Sequence, residues 1–305
     1  MKKIPCVLPI GLLYLDRLKE LADFLKAGFK VKLLLADLHG ALDNTPWELL
    51  EKRFEYYSIV IPSMFASIGA DIDNFEIVKG SSFQMNGKYF YDTLRMATFA
   101  SEHDAKKAGS EVVKQSKNPR VAGLIYPIMQ SLDEEHLDVD IQYGGLDQRK
   151  ILMFAREYLP KLGYKSRVEI MTPIIPGLIG EKMSASDPSS KIDLLDSPEH
   201  VKKKLNKAFC PESVVEGNGV LAFLKHVIMI IKGDHKEEFV IERPEKFGGN
   251  VMYDSYDKLE KDYVAKKIHP QDLKNAVAKV INELLVPVHN GMHGKEKLIK
   301  EAYPE

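Results

Sequence analysis

Apolar residues follow two alternating patterns in the first part of the chain. Leu18 to Gly28 has helical spacing and ends on a glycine, whereas Val31 to Ala36 is a continuous apolar run typical of a buried parallel strand. The same analysis predicts a helix over 47–68, a strand over 75–78 and a helix over 89–100. This alternation predicts an α/β fold with a doubly wound, Rossmann-like parallel sheet.

After Ser190 the pattern becomes mainly helical. Helical spacing recurs over 198–209, 220–231 and 270–286, and the one clear strand signal lies at Phe239 to Ile241. A broad apolar stripe over 273–285 must face a core. We therefore predict two domains, a Rossmann-like domain over 1–190 and an α-helical domain over 191–305.

Composition excludes several classes of protein. With 45% hydrophobic and 29% charged residues, the chain resembles an average globular protein and not a disordered or collagen-like one. Lysine plus arginine (43) balances aspartate plus glutamate (44), so any contact with nucleic acid must be local. Cys6 and Cys210 are too few for a disulfide framework or a zinc site, and we expect reduced thiols.

The basic and apolar start imitates a signal peptide, but prolines interrupt it and no membrane span follows, so we expect a soluble cytoplasmic protein.

Two segments carry candidate chemistry. The turn Ala36 to His39 follows the strand that begins at Val31, and ligands of such sheets bind beyond the carboxyl ends of the strands. Lys182 to Ser186 places a lysine beside hydroxyl groups in a loop, a set that can stabilise a polyphosphate although no P-loop occurs. Taken alone, the second segment could equally be a solvated loop.

Several motifs in a fixed order resemble those of one family. These are Ala36 to His39, Ile125 to Asp133, Gly144 to Lys150, Lys182 to Ser186, Phe209 to Pro211, Arg243 to Gly249 and His269 to Asn275. Together they resemble tyrosyl-tRNA synthetases of the archaeal and eukaryotic type, which are class I aminoacyl-tRNA synthetases. The resemblance runs from about Leu18 to the C-terminus and implies an anticodon-binding role for the helical domain.

The resemblance implies a tyrosine site. In it, Asp133 accepts the phenol hydroxyl, Tyr126, Gln130 and Gln148 surround the amino group, and Leu34, Ala36 and His39 line the ring. Elementary chemistry agrees, because a site built to bind a hydroxyl group rejects phenylalanine by leaving its own polar groups unpaired. A packed or capping role remains the alternative for Tyr126 and Gln130.

The resemblance also implies an ATP site and a tRNA site. Lys182, Met183, Ser184 and Ser186 lie at the ATP phosphates, with Mg2+, and Asp147 reaches the ribose unless it is a turn or cap residue. Phe247, His269 and Asp272 read the first anticodon base of tRNA(Tyr) by stacking and hydrogen bonding, unless they are a core aromatic and helix caps. A homodimer is implied, with residues 108–128 near the two-fold axis.

The chain departs from the family at its start. The family opens with a strand that bears a tyrosine, followed by a loop whose histidines hold the ATP phosphates, and no histidine precedes His39 here. We therefore expect the first strand and this loop to be missing or replaced, through truncation, loss of catalysis or completion by another chain. One alternative function is a non-catalytic tRNA-binding paralogue or partner subunit. Another is a tryptophanyl-tRNA synthetase, but Asp133 and the three residues Phe247, His269 and Asp272 argue against it.

Overall fold

The computed structural model describes residues 3–7, 15–113, 120–173, 177–178 and 191–304, and for residues 3–7 and 15–17 the backbone alone. Its strands are β1 (Lys3–Val7), β2 (Lys30–Leu35), β3 (Phe75–Lys79), β4 (Ile141–Gly145), β5 (Val168–Thr172), β6 (Phe239–Ile241) and β7 (Val251–Tyr253). The first five form one parallel sheet in the order β3-β2-β1-β4-β5, and β6 and β7 form an antiparallel pair.

Helices connect the strands and make up most of the rest. They are α1 (Leu15–Lys26), α2 (Asp37–Leu42), α3 (Leu50–Ser67), α4 (Ser81–Gln84), α5 (Gly87–Phe99), α6 (Glu102–Ala108), α7 (Val121–His136), α8 (Arg149–Tyr158), α9 (Pro198–Lys207), α10 (Gly219–Phe223), α11 (Met229–Asp234), α12 (Tyr256–Val264), α13 (Pro270–Met292) and α14 (Glu296–Ala302). A π-helical turn, Leu224–Ile228, joins α10 to α11. The predicted parallel α/β fold followed by a helical region is confirmed.

A first strand is present at the centre of the sheet. The backbone of β1 pairs with β2 from Lys3 to Val7 and with β4 at Cys6 opposite Tyr143. The expected loss of the histidine loop falls on residues outside the description (8–14), and replacement of the first strand is not contradicted, but a strand is present and not missing. The physical reason is that a short strand needs no strong propensity of its own when parallel neighbours flank both its edges.

The sheet is covered on both faces because its side chains alternate. Leu33 belongs to the core cluster that contains α1 and α3, whereas Leu34, on the opposite face, packs with Leu137 and Val139 at the end of α7. Helices on both faces are the arrangement expected of a doubly wound sheet.

The helical region shares a core with the sheet region. Val277 and Ile281 of α13 belong to the same buried cluster as Val60 and Phe65 of α3, which confirms the predicted apolar stripe. Residue 190, the predicted domain boundary, lies outside the described residues, and the division there stays a prediction.

Cys210 is buried and carries a free thiol, whereas the Cys6 side chain lies outside the description. Among the residues with described structure, no helix has the length and apolar character needed to cross a bilayer.

Candidate active site

Most of the predicted tyrosine-site residues lie around the carboxyl ends of β2 and β4. His39 is on α2, directly after β2, and Gln148 ends the 3-10 turn Leu146–Gln148 that follows β4. Tyr126, Gln130 and Asp133 share one side of α7 and are all buried. This is the end of a parallel sheet at which ligands bind, so the structure brings these residues together where a ligand is expected, and their roles stay predictions.

Asp133 is almost completely buried and holds two hydrogen bonds on one oxygen. Its exposed fraction is 1%, and its Oδ1 accepts from Gln84 Nε2 and from Tyr89 OH, each at 2.8 Å. Burial raises the pKa of Asp133 to about 7, although the two hydrogen bonds act to lower it. The carboxyl group is therefore close to its midpoint of ionisation at neutral pH.

His39 faces the second oxygen of Asp133. His39 Nε2 lies 3.5 Å from Asp133 Oδ2, and within the described part of the chain neither atom has a hydrogen-bond partner. Burial lowers the pKa of His39 to about 4, so the ring is neutral at pH 7. Gln84 Nε2 lies 3.4 Å from His39 Nδ1, which assigns the acceptor role to Nδ1 and leaves the ring hydrogen on Nε2.

A pair of amides forms the next part of the site. Gln130 Nε2 donates to Gln148 Oε1 at 3.0 Å. No group in the described ranges donates to Gln130 Oε1, which is a buried acceptor. The ring of Tyr126 meets the ring of His39 edge to face at 4.7 Å, so these side chains form one continuous wall.

Gln84 and Tyr89 are site residues that the sequence analysis missed. Gln84 is 4% exposed at the end of α4, and a side chain on Gly80 would place its Cβ 2.7 Å from Gln84 Oε1. Tyr89 is 1% exposed on α5, and its hydroxyl also lies 2.8 Å from Met129 O. Local sequence pattern marks neither residue, because their burial depends on how α4 and α5 pack against α7.

The described contacts of the remaining predicted site residues, Leu34, Ala36 and Asp147, are with other parts of the protein. Leu34 is fully buried with Leu137 and Val139, and Ala36 packs against the same cluster. Asp147 is half-buried in the 3-10 turn before Gln148 and has a partner of its own. Their contacts with a ring and a ribose stay predictions.

Lys182, Met183, Ser184 and Ser186 lie outside the described residues, but the segment that leads to them begins within the description. Phe209 N donates to Leu178 O at 2.8 Å. A Cβ added to Gly219 would lie 2.0 Å from Gly177 O, so the two backbones approach closely there. The helical region therefore holds the chain just before the predicted phosphate loop.

The predicted anticodon residues lie on the surface of the helical region. Phe247 is 62% exposed, which excludes the alternative of a core aromatic. His269 caps α13, because its Nδ1 accepts from Gln271 N at 3.1 Å, and Asp272 lies in the first turn of that helix. Arg243 connects the two segments by donating to Gly249 O and Lys267 O.

The site has no cluster of protein ligands for a metal ion among the described residues. Across the ranges that the structure describes, no three histidine, cysteine, aspartate or glutamate side chains lie together as a metal site. Any Mg2+ used with ATP would be held mainly by the phosphates, as is usual for this ion.

Comparisons with known proteins agree with the fold and the motifs. The family described as tRNA synthetases class I (W and Y) matches residues 8–286. The cytoplasmic tyrosine–tRNA ligase of Xenopus laevis is 50% identical over 296 residues, which are 96% of this chain and 55% of that protein. The Saccharomyces cerevisiae cytoplasmic tyrosine–tRNA ligase is 50% identical over 282 residues, or 90% of this chain and 72% of that protein.

A solved structure gives the same result. The Archaeoglobus fulgidus tyrosyl-tRNA synthetase, complexed with L-tyrosine, matches with a TM-score of 0.86 at 38% identity and covers 95% of this chain and 90% of that one. The chain spans only about half the length of the vertebrate relatives that it matches. Sequence, fold and site geometry together place this chain in the class I tRNA synthetase family, on its tyrosyl-tRNA synthetase branch.

Proposed function

We propose that the chain is a cytoplasmic tyrosine–tRNA ligase. It activates L-tyrosine with ATP to form tyrosyl-adenylate and then transfers the tyrosyl group to tRNA(Tyr). The observation that carries this proposal is the pair of buried atoms, Asp133 Oδ2 and His39 Nε2, that face each other at 3.5 Å, with no hydrogen-bond partner among the described residues.

A phenol oxygen placed beside this pair of atoms can contact both of them. At about 2.8 Å from each, it donates its hydrogen to Asp133 Oδ2 and accepts the hydrogen of His39 Nε2. Phenylalanine has no such oxygen and would leave both atoms buried and unpaired, which costs a site of this kind about 10⁴-fold or more in specificity. The geometry thus supports recognition of tyrosine over phenylalanine.

The amide pair suits the other end of the substrate. Gln130 Oε1, a buried acceptor, would receive a hydrogen from the substrate ammonium group, with Tyr126 and Gln148 beside it. Holding both ends of tyrosine fixes its carboxylate in one position. Orientation of this sort accounts for much of the rate when two bound substrates react.

The chemistry then follows from position and charge. A carboxylate oxygen of tyrosine attacks the α-phosphorus of ATP, and the bond to pyrophosphate breaks. The Lys182 loop, with Ser184 and Ser186, stabilises the charge that develops on pyrophosphate, while Met183 and Asp147 bind the nucleotide. A hydroxyl of the terminal tRNA adenosine next attacks the tyrosyl carbonyl carbon, and AMP leaves. Mg2+ supplies further neutralisation of the phosphates when it is bound with ATP.

Exposed residues of the helical region support binding of tRNA(Tyr). Phe247 presents an aromatic face that is 62% exposed, and exposed aromatics stack on unpaired bases. His269 and Asp272 lie at the start of α13, where the Asp272 carboxylate would accept hydrogen bonds from the edge of a guanine base.

An apolar surface on α5 supports a homodimer. Phe90, Tyr91, Leu94 and Phe99 have exposed fractions between 49% and 63%, although each is a large hydrophobic residue. Val121, in the segment 108–128 that was expected near the two-fold axis, is 69% exposed. Exposed apolar surface of this extent is typical of an interface between subunits.

A second candidate function is a tRNA-binding paralogue without catalysis. One observation favours it: the sequence has no histidine before His39, whereas the family places ATP-binding histidines there. The buried phenol site favours the ligase, because unpartnered buried polar atoms lower stability and serve no purpose without a ligand.

Tyrosine binding and tyrosine-dependent ATP–pyrophosphate exchange test the proposal together. We expect calorimetry to show tyrosine binding that Asp133→Ala weakens at least 100-fold, and exchange above the level of that variant. Glu238→Ala, a change at an exposed residue of the helical region, serves as the control. Binding without exchange would favour the paralogue, and absence of tyrosine binding in the wild-type chain would overturn both the site and the ligase.

A further inference from the structure

Helices α5 and α7 are joined by two polar contacts in successive turns. Tyr89 of α5 meets Asp133 of α7, and three residues later on each helix Asp92 meets His136. In the second contact, His136 Nε2 donates to Asp92 Oδ2 at 3.2 Å. Residues three apart lie on the same face of a helix, so the two contacts form consecutive steps of one seam. We call these the inner contact (Tyr89 and Asp133) and the outer contact (Asp92 and His136).

The outer contact is buried and held from several sides. Asp92 is 1% exposed, and its carboxylate also accepts from Tyr164 OH at 2.6 Å and from Arg95 NH1 at 3.3 Å. Arg95 NH2 in turn donates to Leu162 O at 3.1 Å. Buried carboxylates with this many donors have one well-defined position, because moving them would leave several groups unpaired. The proposed reaction gives Asp92 and His136 no direct role.

The outer contact also touches the inner one. The ring of His136 packs against the ring of Tyr89 with centroids 4.8 Å apart, and Phe83 packs on Tyr89 at 5.8 Å. The Tyr89 hydroxyl has one hydrogen and two acceptors at 2.8 Å, Asp133 Oδ1 and Met129 O. Because Asp133 Oδ1 and Met129 O share this one hydrogen, a small displacement of the Tyr89 ring strengthens or weakens the hydrogen bond to Asp133.

We propose that Asp92 and His136 are a positioning pair for Asp133. By fixing the separation of α5 and α7 and the place of the Tyr89 ring, they orient the Asp133 carboxylate toward the phenol of the substrate. This inference rests on the proposed function, since it concerns recognition at the same site. It assigns to two residues outside the pocket an effect on selectivity for tyrosine over phenylalanine.

His136→Phe is the direct test, because phenylalanine keeps a ring against Tyr89 but cannot donate to Asp92. We expect the tyrosine dissociation constant to rise about tenfold. A displaced Asp133 carboxylate would lose roughly the value of one charged hydrogen bond to the substrate phenol. The dissociation constant of phenylalanine, measured by competition, should change less than twofold. His136→Gln, whose amide nitrogen can replace Nε2, should restore tyrosine affinity to within about threefold of wild type.

Tyr158→Phe is the matched control. It removes a tyrosine hydroxyl that donates to Asp104 Oδ2 at 2.9 Å in the neighbouring helices, and we expect no change in either affinity. Equal losses of tyrosine and phenylalanine affinity in His136→Phe, or unchanged tyrosine affinity, would overturn the proposal. If His136→Phe does not fold, Tyr164→Phe replaces it, because this change removes the hydroxyl group that donates to Asp92. A threefold weaker tyrosine affinity is then expected. Unchanged tyrosine affinity counts against the pair.

A second measurement does not depend on any ligand. The unfolding constants of Tyr89→Phe, His136→Phe and the double variant form a thermodynamic cycle, and contacting residues that act together should deviate from additivity by about threefold or more. Strict additivity would contradict the link between the two contacts. If the wild-type chain binds no tyrosine, the proposed function fails, while this cycle still decides whether the outer contact acts on Tyr89.

Discussion

Asp133 illustrates at the scale of one residue how a binding site opposes stability. In the unfolded chain an aspartate ionises near pH 4, whereas burial raises the pKa of Asp133 to about 7 in the folded protein. Between these two values the folded state holds a proton that the unfolded state has lost. This carboxyl group therefore reduces stability progressively as the pH rises from about 4 to about 7, and the loss is complete above that range.

Asp133→Asn should remove this pH dependence. We expect the variant to be more stable than wild type at pH 8, by a few kcal/mol at most, and equal to it near pH 4. Tyrosine binding should be lost, because an amide cannot offer the phenol a charged acceptor beside a neutral His39. Urea unfolding at the two pH values, with calorimetry at pH 8, measures both effects. A variant less stable than wild type at pH 8 would show that the buried carboxylate does not lower the free energy of unfolding.

The sequence predicted part of this residue network for a physical reason. Asp133, Gln130 and Gln148 stand in short motifs whose chemistry matches a tyrosine ligand. Gln84 and Tyr89 are 49 and 44 residues away from Asp133 along the chain, and their contacts depend on how α4 and α5 pack against α7. Local pattern carries no information about such packing.

Whole elements were predictable where the spacing of apolar residues was regular. The helices α1, α3, α5 and α9 and the strands β2 and β3 follow from periodicity alone, within about three residues at each end, whereas α13 continues six residues past its predicted end at 286, to Met292. β1 and β4 are different. Pro5 and the glycines of β4 have low strand propensity, and these strands exist because their neighbours in the sheet pair with them.

Close approach of two elements makes Gly219 a sensitive position. Since its Cβ would lie 2.0 Å from the Gly177 carbonyl, alanine at 219 must move the start of α10 or the segment before the Lys182 loop. We expect Gly219→Ala to lower the free energy of unfolding by about 2 kcal/mol. Pyrophosphate exchange should fall, whereas the tyrosine dissociation constant should stay within twofold.

Gly233→Ala provides the comparison for this prediction. Gly233 lies in α11, and apart from its chain neighbours and its own helix backbone no described atom lies within 4 Å of the position that a Cβ would take there, so alanine should raise stability by about 0.5–1 kcal/mol. Chemical denaturation measures both variants. Equal stability of the two would mean that the backbone near Gly177 yields without cost.

At the scale of the whole molecule, the apolar surface of α5 predicts assembly. Leu94→Glu places a charge in the middle of this surface, and a buried unpaired charge at an interface is strongly unfavourable. We expect sedimentation at micromolar concentration to change from dimer to monomer. Val264→Glu, at a residue of α12 with a similar exposed fraction of 49%, should leave the dimer intact. A wild-type chain that sediments as a monomer would refute the homodimer itself.

The central position of β1 affects the order in which the growing chain can assemble during translation. Its backbone can pair with β2 once residue 35 has left the ribosome, but its partner on the other edge, β4, ends at residue 145. Throughout the synthesis of more than 100 intervening residues, that edge of the nascent sheet has unpaired backbone groups, which can pair with other chains. Protection of this edge by a chaperone would therefore matter most before residue 145 has left the ribosome.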